Sequence, residues 1–349
     1  MDEDLLDTLL SLSALLSPGP PDQDELHADE VDTQHKLSSY TPRSKSDDTV
    51  RILTSFVENL PSYGKRIITK FIANCDNEDT LFNLATHLCT AILFPMKARG
   101  GKTPSVTPSP FEEADTDITF DEVASMMVQS SSRKDQPTLK KLCLRRDNYR
   151  CLITGFWDEA ARGNVPEEVL GDRILNTELA QIIPFSLSKY SDGEQERDIA
   201  RCWTALYLFF PDILEVAQIG PDNINHPKNA MSLMSIVHSE FGCLRLALES
   251  TGQGEPSTYK VITYPGFQSG LRLFLPPPND NNERIVRFEN HGNCDLPSRI
   301  LLDTHAAIAR ILHASGKAED IENIYREREN TPCLAPDGST DLNRLLLLV

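Results

Sequence analysis

Apolar and polar positions alternate with different periods along the chain, and the period changes mark its segments. Leu5, Leu6, Leu9, Leu10, Leu12, Leu15 and Leu16 recur at helical spacing until Ser17-Pro18-Gly19-Pro20-Pro21 breaks the run, which predicts a short acidic amphipathic helix. From there to about Asp48 the chain is rich in Asp, Ser, Pro and Gln, and few large apolar residues remain to be buried, so residues 1–48 read as a helix followed by a flexible tether. Residues 49–98 regain a helical period through Ile52, Leu53, Phe56, Val57 and Leu60, then Ile67, Ile68, Phe71 and Ile72, then Leu81, Leu84, Leu88, Ile92 and Leu93. Two or three helices packed on one another would bury them. A Gly/Pro/Ser linker occupies 99–118, a larger domain spans 119–330, and 331–349 form a tail.

Within the larger domain the pattern predicts a helix from Asp121, a basic helix over 138–147, and a helical insertion over 194–218 carrying Ile199, Cys202, Trp203, Leu206, Phe210, Ile213, Leu214 and Val216. Strands are expected at 259–264, 271–275 and 284–289, separated by turn signals such as Pro276-Pro277-Pro278-Asn279-Asp280, and one helix is expected over 298–328. The fold class is therefore α+β, helical at its N-terminal end.

Composition refines this picture. The formal net charge of −18 argues against a surface that coats nucleic acid throughout, yet residues 1–48 hold twelve acidic and three basic side chains. Arg133, Lys134, Lys140, Lys141, Arg145, Arg146 and Arg150, against Asp135 and Asp147, give one stretch a local net of +5. Lys140, Lys141, Arg145, Arg146 and Arg150 are its candidate phosphate contacts, with a solvated helix face as the competing reading. Eight cysteines without a C-x-x-C pair suggest reduced thiols rather than a zinc ribbon or a disulfide framework. The acidic start is the wrong flank for a secretory signal, and no stretch reaches the 18 or so apolar residues of a membrane span; an intracellular protein, cytoplasmic or nuclear, is expected. Gly101-Lys102-Thr103 invites a phosphate-loop reading, but Met96 stands where the first glycine belongs and Pro104 follows directly, so a solvated linker is favoured.

Three pieces carry candidate chemistry: Arg145-Arg146-Asp147-Asn148-Tyr149-Arg150-Cys151-Leu152-Ile153-Thr154-Gly155, then Glu178-Leu179-Ala180-Gln181-Ile182-Ile183-Pro184-Phe185, then the run from Asn229 to Gly242 that includes His238. The second reads as a buried strand ended by Pro184, and the third as a short strand or turn leading into a helix. Strand, strand, helix is the ββα order of a one-metal nuclease.

In these motifs the chain resembles the HNH endonuclease superfamily, and more closely a fungal group of HNH-domain proteins with an alanine-histidine-isoleucine-isoleucine-proline strand. The resemblance covers roughly 133–242. It implies a hydrolase fold in which the strand histidine activates water, the asparagine orients that histidine or the metal site, and the helix histidine ligates Mg, Mn or Zn. By position these are Gln181, Asn229 and His238, and the first does not match. Glutamine has no basic nitrogen, and losing a general base costs about 10² to 10⁴-fold in rate. Ala180 also stands where many such sites carry a metal-binding aspartate. Glu178, on the same strand face, is the candidate replacement, so His238, Asn229 and Glu178 form the expected metal set and His226 a surrogate base. Each has a structural reading beside it: Asn229 supporting a turn, His238 a satisfied core histidine, His226 a solvated loop residue.

Three functions compete. One is a metal-dependent phosphodiesterase of impaired activity. Another is a pseudo-nuclease that binds nucleic acid or scaffolds a partner, with residues 1–16 docking on a protein or a second copy. The last is an HNH scaffold recruited to small-molecule chemistry, with Trp157, Phe185, Trp203, Tyr207, Phe209 and Phe210 lining a pocket.

Overall fold

A computed structural model describes residues 23–97, 105–111, 133–252 and 256–330. In chain order they form α1 (Gln23–Ser39), α2 (Thr49–Asn59), α3 (Ser62–Ala73), α4 (Glu78–Leu88), α5 (Gln136–Arg146), β1 (Thr177–Gln181), α6 (Gly193–Phe209), β2 (Ala230–Met234), α7 (Ser235–Gly242), β3 (Leu246–Ser250), β4 (Thr258–Thr263), β5 (Ile285–Arg287), α8 (Arg299–Ala314) and α9 (Lys317–Asn330). The class is α+β. The expected N-terminal leucine helix, the Gly101-Lys102-Thr103 linker, the helix from Asp121 and the C-terminal tail lie outside the described residues.

Two compact units divide the chain: Met1–Val128 with Tyr190–Glu215 and Arg310–Val349, and Gln129–Lys189 with Val216–Ala309. The division cuts across the expected 119–330 domain, because the inserted helix α6 packs with the N-terminal helices instead of with the strands around it.

The first unit is helical. α2 buries Ile52, Leu53 and Phe56, α3 buries Ile68 and Ile72, and α6 buries Ile199, Cys202, Trp203 and Leu206. Gly64 of α3 allows a close backbone approach, since a Cβ there would lie 2.4 Å from the Phe209 carbonyl oxygen. Phe209 also meets Phe56 and Phe71, with ring centroids 6.4 and 6.3 Å away. Asp192 begins α6 by accepting from the Glu194 and Gln195 amides, satisfying donors that have no intrahelical partner. Beyond α4 the helix widens into a π-type turn over Cys89–Leu93 before Phe94–Lys97. Such a turn accommodates Pro95, which lacks the N–H an α-helix needs and crowds the preceding turn.

Residues 23–39, where composition predicts a tether, instead form α1. Thr33 Oγ1 donates to the Thr69 carbonyl at 2.9 Å, and Lys36 Nζ donates to the Cys75 carbonyl at 2.8 Å. These bonds tie a weakly amphipathic polar helix to α3, a form of support invisible to apolar periodicity. The single expected C-terminal helix is two, α8 and α9, because Gly316 takes a left-handed φ of +78° between them, a conformation glycine adopts without steric cost.

The second unit holds two small antiparallel sheets, β1-β2 and β3-β4-β5. β1 pairs with β2 in the register Thr177↔Met234 through Gln181↔Ala230. α5 packs on this hairpin through Leu139 and Cys143 against Ala230. The expected strand at 271–275 is a 3₁₀ turn, Ser269–Leu273, which buries Leu271 and leaves Leu273 88% exposed. Its amides close the turn, Leu271 onto the Gln268 carbonyl at 2.9 Å and Phe274 onto the Leu271 carbonyl at 3.0 Å, and Pro276, Pro277 and Pro278, starting two residues beyond Phe274, keep a ladder from extending beyond it.

Candidate functional site

The β1-β2 ladder fixes where each candidate stands. Glu178 lies opposite Leu233 near one end, and Gln181 lies opposite Ala230 at the other. At about 3.3 Å of rise per residue, Gln181 is about 10 Å along the strand from Glu178, and alternation points the two side chains to opposite faces. α7 starts immediately after β2, at the Glu178 end. The expected trio is therefore distributed between two places.

At the Glu178 end, His238 Nδ1 lies 2.7 Å from Glu178 Oε2. Both side chains keep contact with solvent, at 33% and 52% exposure, so the pair is reachable. The bond to His238 holds the Glu178 carboxyl below its ordinary range, helped by the Ser235 hydroxyl and by the charge of Lys140. With Nδ1 donating to the carboxylate, Nε2 is the nitrogen left with a lone pair. His238 is thus neither a core histidine nor solitary.

At the other end, the Gln181 amide donates from Nε2 to Asn225 Oδ1 at 3.1 Å and to the Ile224 carbonyl at 3.3 Å. Asn229 is fully buried. Its Oδ1 accepts the Ile183 amide at 2.8 Å, and its Nδ2 donates to the carbonyls of Ile183 and Ile224, both at 3.0 Å. The whole amide is spent on backbone that follows β1 and precedes β2. Asn229 lies at the far end of β2 from the start of α7, apart from the His238 with which the expected metal set joins it. His226 caps the turn into Asn229: its Nδ1 accepts the Lys228 amide at 3.2 Å, its Nε2 is 3.9 Å from Asp295, and burial pushes its pKa down.

The basic stretch separates into structural and exposed side chains. Arg146, expected on the surface, is fully buried. It pairs with Asp147 at 2.7 Å and donates to the carbonyls of Pro227, Asp295 and Ala230, while Asp147 accepts the Ser232 amide at 2.9 Å. Burying a guanidinium requires such complete pairing; here it ties the end of α5 to β2. Lys140 donates to the Thr177 carbonyl at 2.7 Å, and Arg150 lies 3.7 Å over the Trp157 ring. Lys141 and Arg145 are exposed. The aromatic residues suggested as a pocket lining are buried and divided between the units, Trp157 and Phe185 in the second and Trp203, Tyr207, Phe209 and Phe210 in the first.

Sequence reading missed Asn225, Ser235 and the Arg146–Asp147 pair. Nothing in their spacing announces these roles, which depend on segments that meet only in the fold.

As they stand, these residues do not fit a divalent metal. Ala180 offers no donor, the Asn229 oxygen already holds an amide, and His238 with Glu178 makes two donors where such sites use three or more. Among the described residues no three His, Cys, Asp or Glu side chains are grouped to hold an ion. No described helix is long and apolar enough to cross a membrane.

A family model described as HNH endonuclease matches residues 151–249. No curated protein and no solved structure matches the chain. The matched stretch contains Glu178, Gln181, His226, Asn229 and His238 and the strand–strand–helix order they occupy, so the similarity to HNH endonucleases covers every candidate of the site.

Proposed function

We propose that the HNH-type domain binds nucleic acid and is impaired in, or has lost, metal-dependent phosphodiester cleavage. The observation that carries this reading is the Gln181 carboxamide, turned onto Ile224 and Asn225 in the position where the family resemblance implies the water-activating histidine. An amide nitrogen takes no proton at neutral pH. The occupied Asn229 amide points the same way, since it leaves no group free to orient a base or an ion. The HNH match supports nucleic acid as the partner, and Lys141 and Arg145 are the members of the basic stretch exposed to meet phosphates.

The 2.7 Å Glu178–His238 pair favours one second reading, a slow metal-independent hydrolysis. His238 Nε2 would take a proton from water as the hydroxide oxygen bonds to phosphorus, the bond from phosphorus to the sugar oxygen would break, that oxygen would take a proton from solvent, and the His238 imidazolium would return its own proton to solvent. A nicking assay on supercoiled plasmid and on single-stranded substrate, with Mg, Mn or Zn and separately in EDTA, distinguishes these readings. Binding without metal-dependent nicking is expected. The double variant Gln181→His with Ala180→Asp supplies a base at the Asn225 end of β1 and a carboxylate at the position before it, and, where urea midpoints show that it folds, should raise metal-dependent cleavage by about 10² to 10⁴-fold. Metal-dependent cleavage by the natural chain that disappears in His238→Ala and is not raised by the double variant would refute the proposal; cleavage persisting in EDTA and lost in Glu178→Gln would establish the second reading.

A further inference from the structure

A side-chain cluster apart from the β1-β2 hairpin displays aromatic surface and unpaired positive charge together. The 3₁₀ turn Ser269–Leu273 is pinned by buried Phe267, Leu271 and Leu275, yet between these anchors it presents Leu273 at 88% and Phe274 at 37% exposure. The Phe274 amide donates to the Leu271 carbonyl at 3.0 Å, which fixes the display. Phe274 meets Phe156 nearly edge to face, with centroids 5.6 Å apart and planes at 87°. Phe156 sits at the close of a tight turn in which its carbonyl accepts the Cys151 amide at 2.8 Å and Gly155 takes a φ of +72°. The Arg173 guanidinium lies 5.6 Å from the Phe156 centroid, and Arg272 is exposed beside Leu273.

Exposed Leu273 and Phe274 side by side, with half-buried Phe156 against the second ring, make an apolar patch that a solvated turn does not need, because each large apolar side chain left fully exposed forgoes about 1.5–3 kcal/mol of burial. The accompanying charge argues for what covers them. Among the described residues neither Arg173 nor Arg272 has an ion-pair partner, so both guanidinium groups are available to phosphate. The unit that holds them has 17 basic and 17 acidic residues in a chain of net charge −18, so it is the part of the molecule that repels a polyanion least.

We infer that Phe274 and Phe156, flanked by Arg173 and Arg272, form a stacking platform for single-stranded nucleic acid. Solvent-accessible rings engage the faces of unstacked bases, which a duplex keeps covered, while the arginines meet the phosphates between them. This inference rests on the nucleic-acid-binding reading and deepens it by naming the strand state and the surface.

Fluorescence anisotropy with the full chain and a labelled 20-nucleotide oligothymidylate, against a 20-base-pair duplex, tests it. The single strand should bind more tightly. Phe274→Ala should weaken it about 5- to 150-fold, the stacking of one base, whereas Phe274→Trp should preserve affinity. Arg173→Glu combined with Arg272→Glu should weaken binding and flatten its dependence on salt. These side chains are exposed or half-buried, and matching urea midpoints for the variants would establish that folding is unaltered. Binding by the natural chain that is unchanged in Phe274→Ala and in the double arginine variant overturns the platform and leaves the nucleic-acid reading standing; no binding of either probe by the natural chain overturns both. If Leu273→Asp alters the oligomeric mass and leaves oligonucleotide affinity untouched, the patch is a self-association face and the inference is wrong.

Discussion

Replacing Asn229 separates a structural asparagine from a catalytic one. In Asn229→Ala three hydrogen bonds disappear, but the groups left behind differ in what they lose. The Ile224 carbonyl still accepts from Gln181, and the Ile183 carbonyl forfeits one bond. The Ile183 amide loses its acceptor in a buried position, and a buried donor left unsatisfied costs about 1–3 kcal/mol. Adding one forfeited bond of about 1 kcal/mol and a small cavity, the expected loss is about 2–4 kcal/mol. Urea unfolding followed by tryptophan fluorescence measures it, because Trp157 and Trp203 report the second and first units separately; in a Trp203→Phe background the remaining signal should shift. Asn229→Asp sharpens the test. Its carboxylate still accepts from Ile183, but its second oxygen faces two carbonyls, so its pKa in the fold is raised. The stability of this variant relative to the natural chain should therefore be greater near pH 4 than at pH 7, since a raised carboxyl favours the fold below its unfolded pKa and loses that advantage as pH rises. Should Asn229→Ala unfold within about 0.5 kcal/mol of the natural chain, below the usual cost of an orphaned buried donor, the clamp argument is refuted and an orienting role at the site is restored.

Gly64→Ala should destabilise the first unit by about 1–3 kcal/mol, read from the Trp203 transition, because the new methyl meets the Phe209 backbone at 2.4 Å and this outweighs alanine's better helix propensity; an unchanged or higher midpoint would show that α3 and α6 do not pack this closely. His305 is buried against Phe241, with ring centroids 3.9 Å apart, and burial drives its pKa down to about 3. Its neutral form belongs to the fold, so that stability is present above an unfolded pKa of about 6.5 and falls by about 1.4 kcal/mol per pH unit below it; His305→Phe should reduce that acid slope in a pH series of urea unfolding curves, and an identical slope would refute the assignment.

Helical segments 49–98 and the insertion were legible in sequence because burying one face of a helix imposes a local period, and the strand at Gln181 was legible because Pro184 ends it. That Gln181 stands where the family resemblance expects a histidine was legible too, since it is a property of one side chain. Periodicity failed where stabilisation is polar or distant: α1 is held by Thr33 and Lys36 on backbone carbonyls of another segment, and the stretch at 271–275 alternates like a strand while its amides close a turn, Leu271 onto Gln268 and Phe274 onto Leu271. The site shows the same limit. A sequence lists Glu178, Gln181, Asn229 and His238 as one constellation, yet hairpin register alone decides that His238 meets Glu178 while Asn229 and Gln181 face the loop at the opposite end. Arg146 makes the point most plainly: its charge marks it for the surface, and only the convergence of Asp147 with the Pro227, Ala230 and Asp295 carbonyls supplies enough hydrogen bonds to offset removing a guanidinium from water, so tertiary structure, not composition, made it a core residue.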